Sequence, residues 1–293
     1  MKTSTQTDLI ANRIGLENTL RLYKEAGFDC YDLSLFDMLK DDCVFNSPAY
    51  LDEAKRIRAF ADSLGLPCNQ AHAPFPSSKT DIPENAEFNA VIIERIVRAM
   101  EIASVLGAKA IVVHPKHEVF YLQNQSALKE KNVAFYRSLE PCAKKFGIKV
   151  AVENMWQRNP IGGHIVDSAC ARPEDFIEMM DALNPEYFVA CLDIGHAVLC
   201  SHDPADFIRA LGHNRLHALH VHDVDGIADL HTMPFLEKVD FLSVADALKE
   251  IDYDGEITLE ANNFYRNMPA EVYPEAVRMM AAAARFIANR ASN

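Results

Sequence analysis

The chain has 293 residues, of which 49% are hydrophobic and 24% charged, a balance that suits a folded chain with a large core and excludes a disordered one. A formal charge of −13 would repel a phosphate backbone over most of the surface, and no Lys/Arg cluster reverses it locally, which argues against nucleic acid as a partner. The opening MKTSTQTDLIANRIG lacks the apolar run of a secretory signal, and the most apolar later window, MMAAAARFIA, is too short for a bilayer. A cytoplasmic protein without membrane contact is therefore expected.

In chain order, TSTQTDLI is strand-like, and LENTLRLYKEAG has helical spacing with Gly27 as its stop. FDCYDLSLF alternates and predicts a second strand. A helix over 51–64 precedes CNQAHAPF, the third strand. A helix over 86–106 closes at Gly107 and leads into AKAIVVHPKH, the fourth. A helix over 126–146, stopped at Gly147, precedes IKVAVENM, the fifth. The segment QRNPIGGHIVDS is expected to be a mobile active-site loop. A helix opens at Pro173 and is followed by the sixth strand, ending at ACLDIGHA. A helix over 204–211 gives way to RLHALHVHD, the seventh strand. After a long loop, a helix over 241–251 leads to EITLEAN, the eighth, and a last helix covers 273–289.

Eight strands alternating with eight helices imply parallel pairing with helical crossovers. The expected fold is a single α/β domain over 1–293, an eight-stranded parallel (β/α)8 barrel with its active site at the carboxyl ends of the strands. No GxGxxG or GxxxxGK loop follows any strand, which weakens an open nucleotide-binding sheet. The seven cysteines are odd in number and never fall at CxxC spacing, so neither a disulfide framework nor a thiolate zinc site is indicated.

Side chains alternate along a strand, and that parity places polar groups on the inward side. Val189, Cys191 and Asp193 share one face of the sixth strand. The same parity turns Ala110, Val112 and His114 inward in the fourth, Ala151 and Glu153 in the fifth, Ala218, His220 and His222 in the seventh, Thr258 and Glu260 in the eighth, and Gln70 and His72 in the third. His196 is expected on the loop just above the mouth, and His117 on its rim. Three carboxylates in one apolar ring repel one another, and carboxylate with imidazole is the ligand set for divalent zinc or manganese. A metal site follows.

Glu153, Asp193, a histidine of HVHD and Glu260, each at a strand end, resemble the pattern of the xylose isomerase-like barrels, which include sugar-phosphate isomerases, ketose 3-epimerases and the endonuclease IV group. The resemblance covers essentially the whole chain. It implies Glu153, Asp193, His220 and Glu260 as ligands of one divalent ion (Mn or Zn, with Mg or Co as further candidates), preferring His220 to His222 by its spacing from the aspartate of HVHD. It also implies that His196 contacts substrate. The activity implied is a sugar or sugar-phosphate isomerase or epimerase. In it the metal stabilises an enediolate and Glu153 and Glu260 serve as acid and base, a small carbohydrate being the partner and a homo-oligomer a common form among such proteins. The endonuclease IV pattern finds matches too, in His72, His114, His196, Asp229 and His231, and implies a multi-zinc phosphodiester hydrolase as the alternative; a metal-dependent sugar or inositol lyase or dehydratase is a third. Trp156 is a candidate stacking wall, and Arg158 and Arg266 are candidate grips for a phosphate. Specificity is expected in the loops over 155–168, 224–239 and 262–274.

Overall fold

The computed structural model describes residues 1–292. Its strands are β1 (Thr3–Thr5), β2 (Tyr31–Ser34), β3 (Cys68–His72), β4 (Ala110–Val113), β5 (Lys149–Glu153), β6 (Trp156–Arg158), β7 (Ile165–Asp167), β8 (Phe188–Asp193), β9 (Leu216–His220) and β10 (Ile257–Leu259). The helices are α1 (Asp8–Ile14), α2 (Leu16–Ala26), α3 (Tyr50–Leu64), α4 (Ala86–Leu106), α5 (Tyr121–Phe146), α6 (Pro173–Asp181), α7 (Ile194–Leu199), α8 (Pro204–Leu211), α9 (Phe241–Glu250) and α10 (Tyr273–Ser292).

Strands β2, β3, β4, β5, β8 and β9 pair in that order, all parallel, as one six-stranded sheet curled into a half-barrel. The first and last strands, β1 and β10, form a separate parallel pair. Each is only three residues long, and each meets the larger sheet through a single parallel bridge, Gln6 with Asp32 on one side and Val221 with Leu259 on the other. All eight expected strands are thus present and parallel, divided between two sheets because these two are too short to carry a full ladder to their neighbours.

The expected face assignments hold. Ala110, Val112, Ala151, Val189, Cys191 and Ala218 pack together on the concave side of the sheet, whereas Ile111, Val113, Val150, Val152, Ala190, Leu192 and Leu219 join the larger core beneath the helices. Small residues on the concave side are what the tight curvature admits. Gly107 and Gly147 end α4 and α5 in the left-handed region, at φ 82° and 65°, where a side chain would be strained.

Three local expectations change. The opening strand stops at Thr5, and Asp8–Ile14 is helical: Asp8 lies in the first turn, where a carboxylate offsets the helix dipole. The segment after the fifth strand is an antiparallel hairpin of β6 and β7 rather than an irregular loop. Its turn is held by Asn159, whose Oδ1 accepts from the backbone of Ile161 and Gly162. The fifth helix begins at Tyr121, five residues early, with a break at Asn124. Among the described residues no helix is long and apolar enough to cross a membrane.

Candidate functional site

Above the layer of small side chains, the carboxyl ends of the strands bring the inward polar residues together. Glu153 closes β5, Asp193 closes β8, His220 closes β9 and Glu260 follows β10. Their donor atoms lie within 4.8 Å of one another. Nδ1 of His220 stands 2.7 Å from Oε1 of Glu153 and 3.1 Å from Oε2 of Glu260. His220 and Asp193 are completely buried and Glu153 nearly so.

Three further groups adjoin this one. His72, His114 and Glu153 converge, as do His72, His220 and Glu260, and a third set joins His196, His222, Asp229 and His231. Nε2 of His72 and Nε2 of His114 face each other at 3.1 Å, with Oε2 of Glu153 at 3.6 and 2.9 Å from them. Nδ1 of His72 is already engaged with the carbonyl of Ala73 at 2.8 Å, so Nε2 is the nitrogen turned toward His114 and Glu153. His196 and His231 are set the same way, with Nδ1 at 2.9 Å from the carbonyl of Asn154 and 3.0 Å from that of Glu260.

The local fold fixes Asp193 tightly. Its Oδ1 accepts from the backbone N–H of His196 at 2.7 Å and so caps α7, while Asn154 bonds both its backbone N–H and its carbonyl. His196 therefore sits in the first turn of a short helix, not on a loop. His222 places Nε2 3.0 and 3.1 Å from the two Asp193 oxygens. Gly195 makes room for that ring: a Cβ there would meet Cε1 of His222 at 2.1 Å.

Electrostatics follow from this crowding. Burial alone would raise the carboxyl groups, but His220 and His114 hold Glu153 well below its ordinary value, and His196 and His222 lower Asp193. Burial opposes charge on His231 as well, yet its hydrogen bond with Asp229 raises it to about 9. His117, which has no such carboxylate, is lowered to about 4 by burial and by His114. Glu153 Oε2 and Asp229 Oδ1 are buried without a hydrogen-bond partner. Unpaired lone pairs on buried carboxylates, with imidazoles beside them, fit a divalent cation, which supplies the missing positive charge. These residues could hold a metal ion.

The groups open into a cavity of about 490 Å³, walled by Phe75 on one side and by Trp156, Gln157 and Arg158 of the β6–β7 hairpin on the other. Trp156 donates its Nε1–H to Oδ2 of Asp229 at 3.2 Å, and Arg158 lies over the Trp156 ring at 5.7 Å. His117 lines the cavity rather than its rim. Arg266 is not part of the lining: it sits on the turn after β10, its carbonyl accepting from Arg13.

Sequence reasoning missed Asp32, Gln6 and the aromatic pair Phe36 and Phe75, which pack edge-on against His72. For Asp32 and Gln6 the signal was available, since both have the inward parity of strands whose outward residues are apolar or small. Oε1 of Glu260 accepts from Gln6 Nε2 at 2.8 Å, Gln6 Oε1 accepts from Asn262 at 2.6 Å, and Asn262 accepts from the Tyr265 hydroxyl.

A parallel half-barrel with carboxylates and histidines gathered at its strand ends defines a class, and comparison with known proteins agrees: the family described as xylose isomerase-like TIM barrel matches residues 20–283. The chain belongs to that family. An uncharacterised protein of Methanocaldococcus jannaschii, MJ1311, is 30% identical over 195 residues, covering 66% of this chain and 64% of that one. The chain thus spans somewhat less than two thirds of that relative, and 59% of a second from the same organism, MJ1614, at 26% identity over 55% of this chain. Among solved structures, a D-tagatose 3-epimerase-like protein superposes with a TM-score of 0.73 at 22% identity over 99% of both chains. The 3-keto-D-glucoside 4-epimerase YcjR of E. coli gives 0.71 at 19% over 96% of this chain and 99% of its own, and the IolI protein with a bound zinc atom 0.71 at 18% over 100% and 98%. At these identities the likeness is one of fold.

Proposed function

We propose that this chain is a divalent-cation-dependent isomerase or epimerase of a small sugar or sugar phosphate. The observation that carries the reading is the convergence of two glutamates, Glu153 at the end of β5 and Glu260 just after β10, on one imidazole nitrogen of His220. We read residues 1–293 as one domain, and the six- and two-stranded sheets, bridged at both seams, as one eight-stranded barrel.

Glu153, Asp193, His220 and Glu260 would hold the cation, for which manganese or zinc suits the donor set. When bound, it supplies Lewis-acid polarisation of adjacent oxygens of a hydroxy-ketone. One glutamate takes the proton from the neighbouring carbon and the other returns one, on the opposite face for epimerisation. His196, held by Asn154, orients a substrate oxygen. Trp156 and Phe75 exclude water from the two sides, and Arg158 meets a phosphate or acidic tail. The test is exchange of the substrate C–H with solvent deuterium across a panel of ketoses and their phosphates. Glu153→Gln and Glu260→Gln should each abolish it, and unchanged exchange in both sinks the assignment.

A second reading is favoured by the two flanking groups, His72–His114–Glu153 and His196–His222–Asp229–His231, which exceed what a one-ion isomerase uses. Two or three ions would suit metal-assisted hydrolysis of a phosphodiester. Elemental analysis separates the readings: one ion per chain supports the isomerase, and two or three, lost on replacing Asp229 or His72, support the hydrolase.

A further inference from the structure

His72, His196 and His231 each secure Nδ1 on a main-chain carbonyl, of Ala73, Asn154 and Glu260 respectively, and turn Nε2 toward other residues of the site, His114 for the first and Asp229 for the other two. His220 is turned the other way. Its Nδ1 faces Glu153 and Glu260, and its Nε2 points down into the barrel, buried and without a hydrogen-bond partner. The group that Nε2 faces is the carboxylate of Asp32, whose Oδ2 lies 3.7 Å away.

Asp32 is itself hard to explain otherwise. It is 0% exposed, one oxygen accepts from Gln70 Nε2 at 2.8 Å, and the other has no partner. Among the described residues no lysine or arginine pairs with it. A carboxylate buried with only an amide for company is costly in a packed interior. His220 Nε2 has no partner, and the Asp32 carboxylate stands within 4 Å of it through Oδ2, the oxygen that Gln70 also reaches.

We propose that Asp32 is the positioning residue of the central cation centre. Its carboxylate accepts the Nε2–H of His220, which fixes the tautomer with a bare Nδ1 facing Glu153, Asp193 and Glu260. Gln70 holds the carboxylate in place by donating to the same oxygen, Oδ2. A ligating imidazole whose remote N–H is given to a carboxylate is both oriented and made more basic. Strand β2 thereby takes part in the centre without supplying a ligand. The inference rests on the reading of those four residues as a cation centre.

The test uses the full chain stripped with chelator and titrated with Mn2+ alone, followed by calorimetry. Asp32→Asn keeps the shape but turns an amide N–H toward Nε2 and so selects the wrong tautomer. The dissociation constant of one bound ion should rise about 10- to 100-fold, with the melting temperature of the metal-free protein little changed. Gln70→Met should weaken the same ion. An unchanged constant in Asp32→Asn overturns the role of Asp32 while leaving the cation centre intact. Absence of any binding by the unsubstituted chain overturns the centre and this proposal with it. A second measurement does not depend on any variant folding: 15N shifts of the His220 ring in the zinc-loaded protein should report a protonated Nε2. A bare Nε2 with Nδ1 protonated overturns the proposal.

Discussion

Gln6 and Glu260 stand 254 positions apart in sequence, and the carboxamide of the first donates to Oε1 of the second across 2.8 Å. That bond decides which carboxylate oxygen is left for the cavity. Oε1 is occupied by the amide, and Oε2 is the one that lies 3.1 Å from Nδ1 of His220. Glu153 differs, with both oxygens near imidazoles, Oε1 at His220 and Oε2 at His114. The two glutamates are therefore held by different means, one by neutral amides and one by rings.

Replacing Gln6 with Leu tests this. Glu260 Oε1 and the Asn262 amide both lose their partner, at about 1–3 kcal/mol of stability, and turnover should fall about tenfold. Urea unfolding and steady-state rates check the two effects. Turnover equal to that of the unsubstituted chain would mean that Glu260 needs no such anchor.

Cation loading should stabilise the fold, since several buried carboxylates share one small volume. At a hundred times its dissociation constant, an ion that binds only the folded chain adds about 2.7 kcal/mol. Thermal melts with chelator and then with added Mn2+ or Zn2+ should show a rising midpoint. A midpoint indifferent to both ions contradicts the cation reading.

Trp156 is the only tryptophan, and its N–H is given to Asp229. An ion taken by the group of His196, His222, Asp229 and His231 would draw the carboxylate away from the indole and change its emission. Zinc titration followed by fluorescence should show this, and Asp229→Ala should remove the response. Emission that stays constant while the protein binds zinc places the ion elsewhere.

The low pKa of His117, about 4 against an ordinary 6.5, has a sign that can be worked out. The folded chain keeps the ring neutral where the unfolded chain would charge it. Between about pH 6.5 and pH 4 the unfolded state binds more protons, so stability is complete above that window and declines as pH falls through it. His117→Gln should flatten this part of the stability curve, measured by urea unfolding at stepwise pH in chelator. An identical curve in the variant assigns the acid sensitivity to other groups.

Gly195 carries a packing prediction. A methyl group there would run into the His222 ring, which is pinned by Asp193 on one side and stacked on His231 at 4.0 Å on the other. Gly195→Ala should cost about 1–3 kcal/mol, read from chemical unfolding. A neutral result would show that the ring has room to move.

Much of this site was legible in the sequence because strand parity is a strict rule. Once FVACLD was taken as a strand, Asp193 had to share a face with Cys191 and Val189, and the concave cluster bears this out. The same reasoning placed Glu153, His114 and His220. It failed to single out Asp32 and Gln6, which obey the same parity, because a single Asp or Gln in a strand carries no recognisable chemistry until its neighbours are known. The hairpin of β6 and β7 was hidden for a different reason. Its pairing depends on the turn that Asn159 organises, and a stretch such as QRNPIGGHIVDS has no alternation strong enough to announce a strand.

The pairing of Thr3–Thr5 with Ile257–Leu259 also sets an order of events during synthesis. The first strand leaves the ribosome more than two hundred residues before the one it must lie beside, and contacts of such long range form late. Until β10 arrives, the Gln6 carboxamide has no carboxylate to hold, and Glu153 and His220 lack the second glutamate between them. A chain cut before Ile257 consequently lacks Glu260, and the group of Glu153, Asp193 and His220 is left without its fourth member. Completion of the group therefore waits on the pairing of longest range among the described strands.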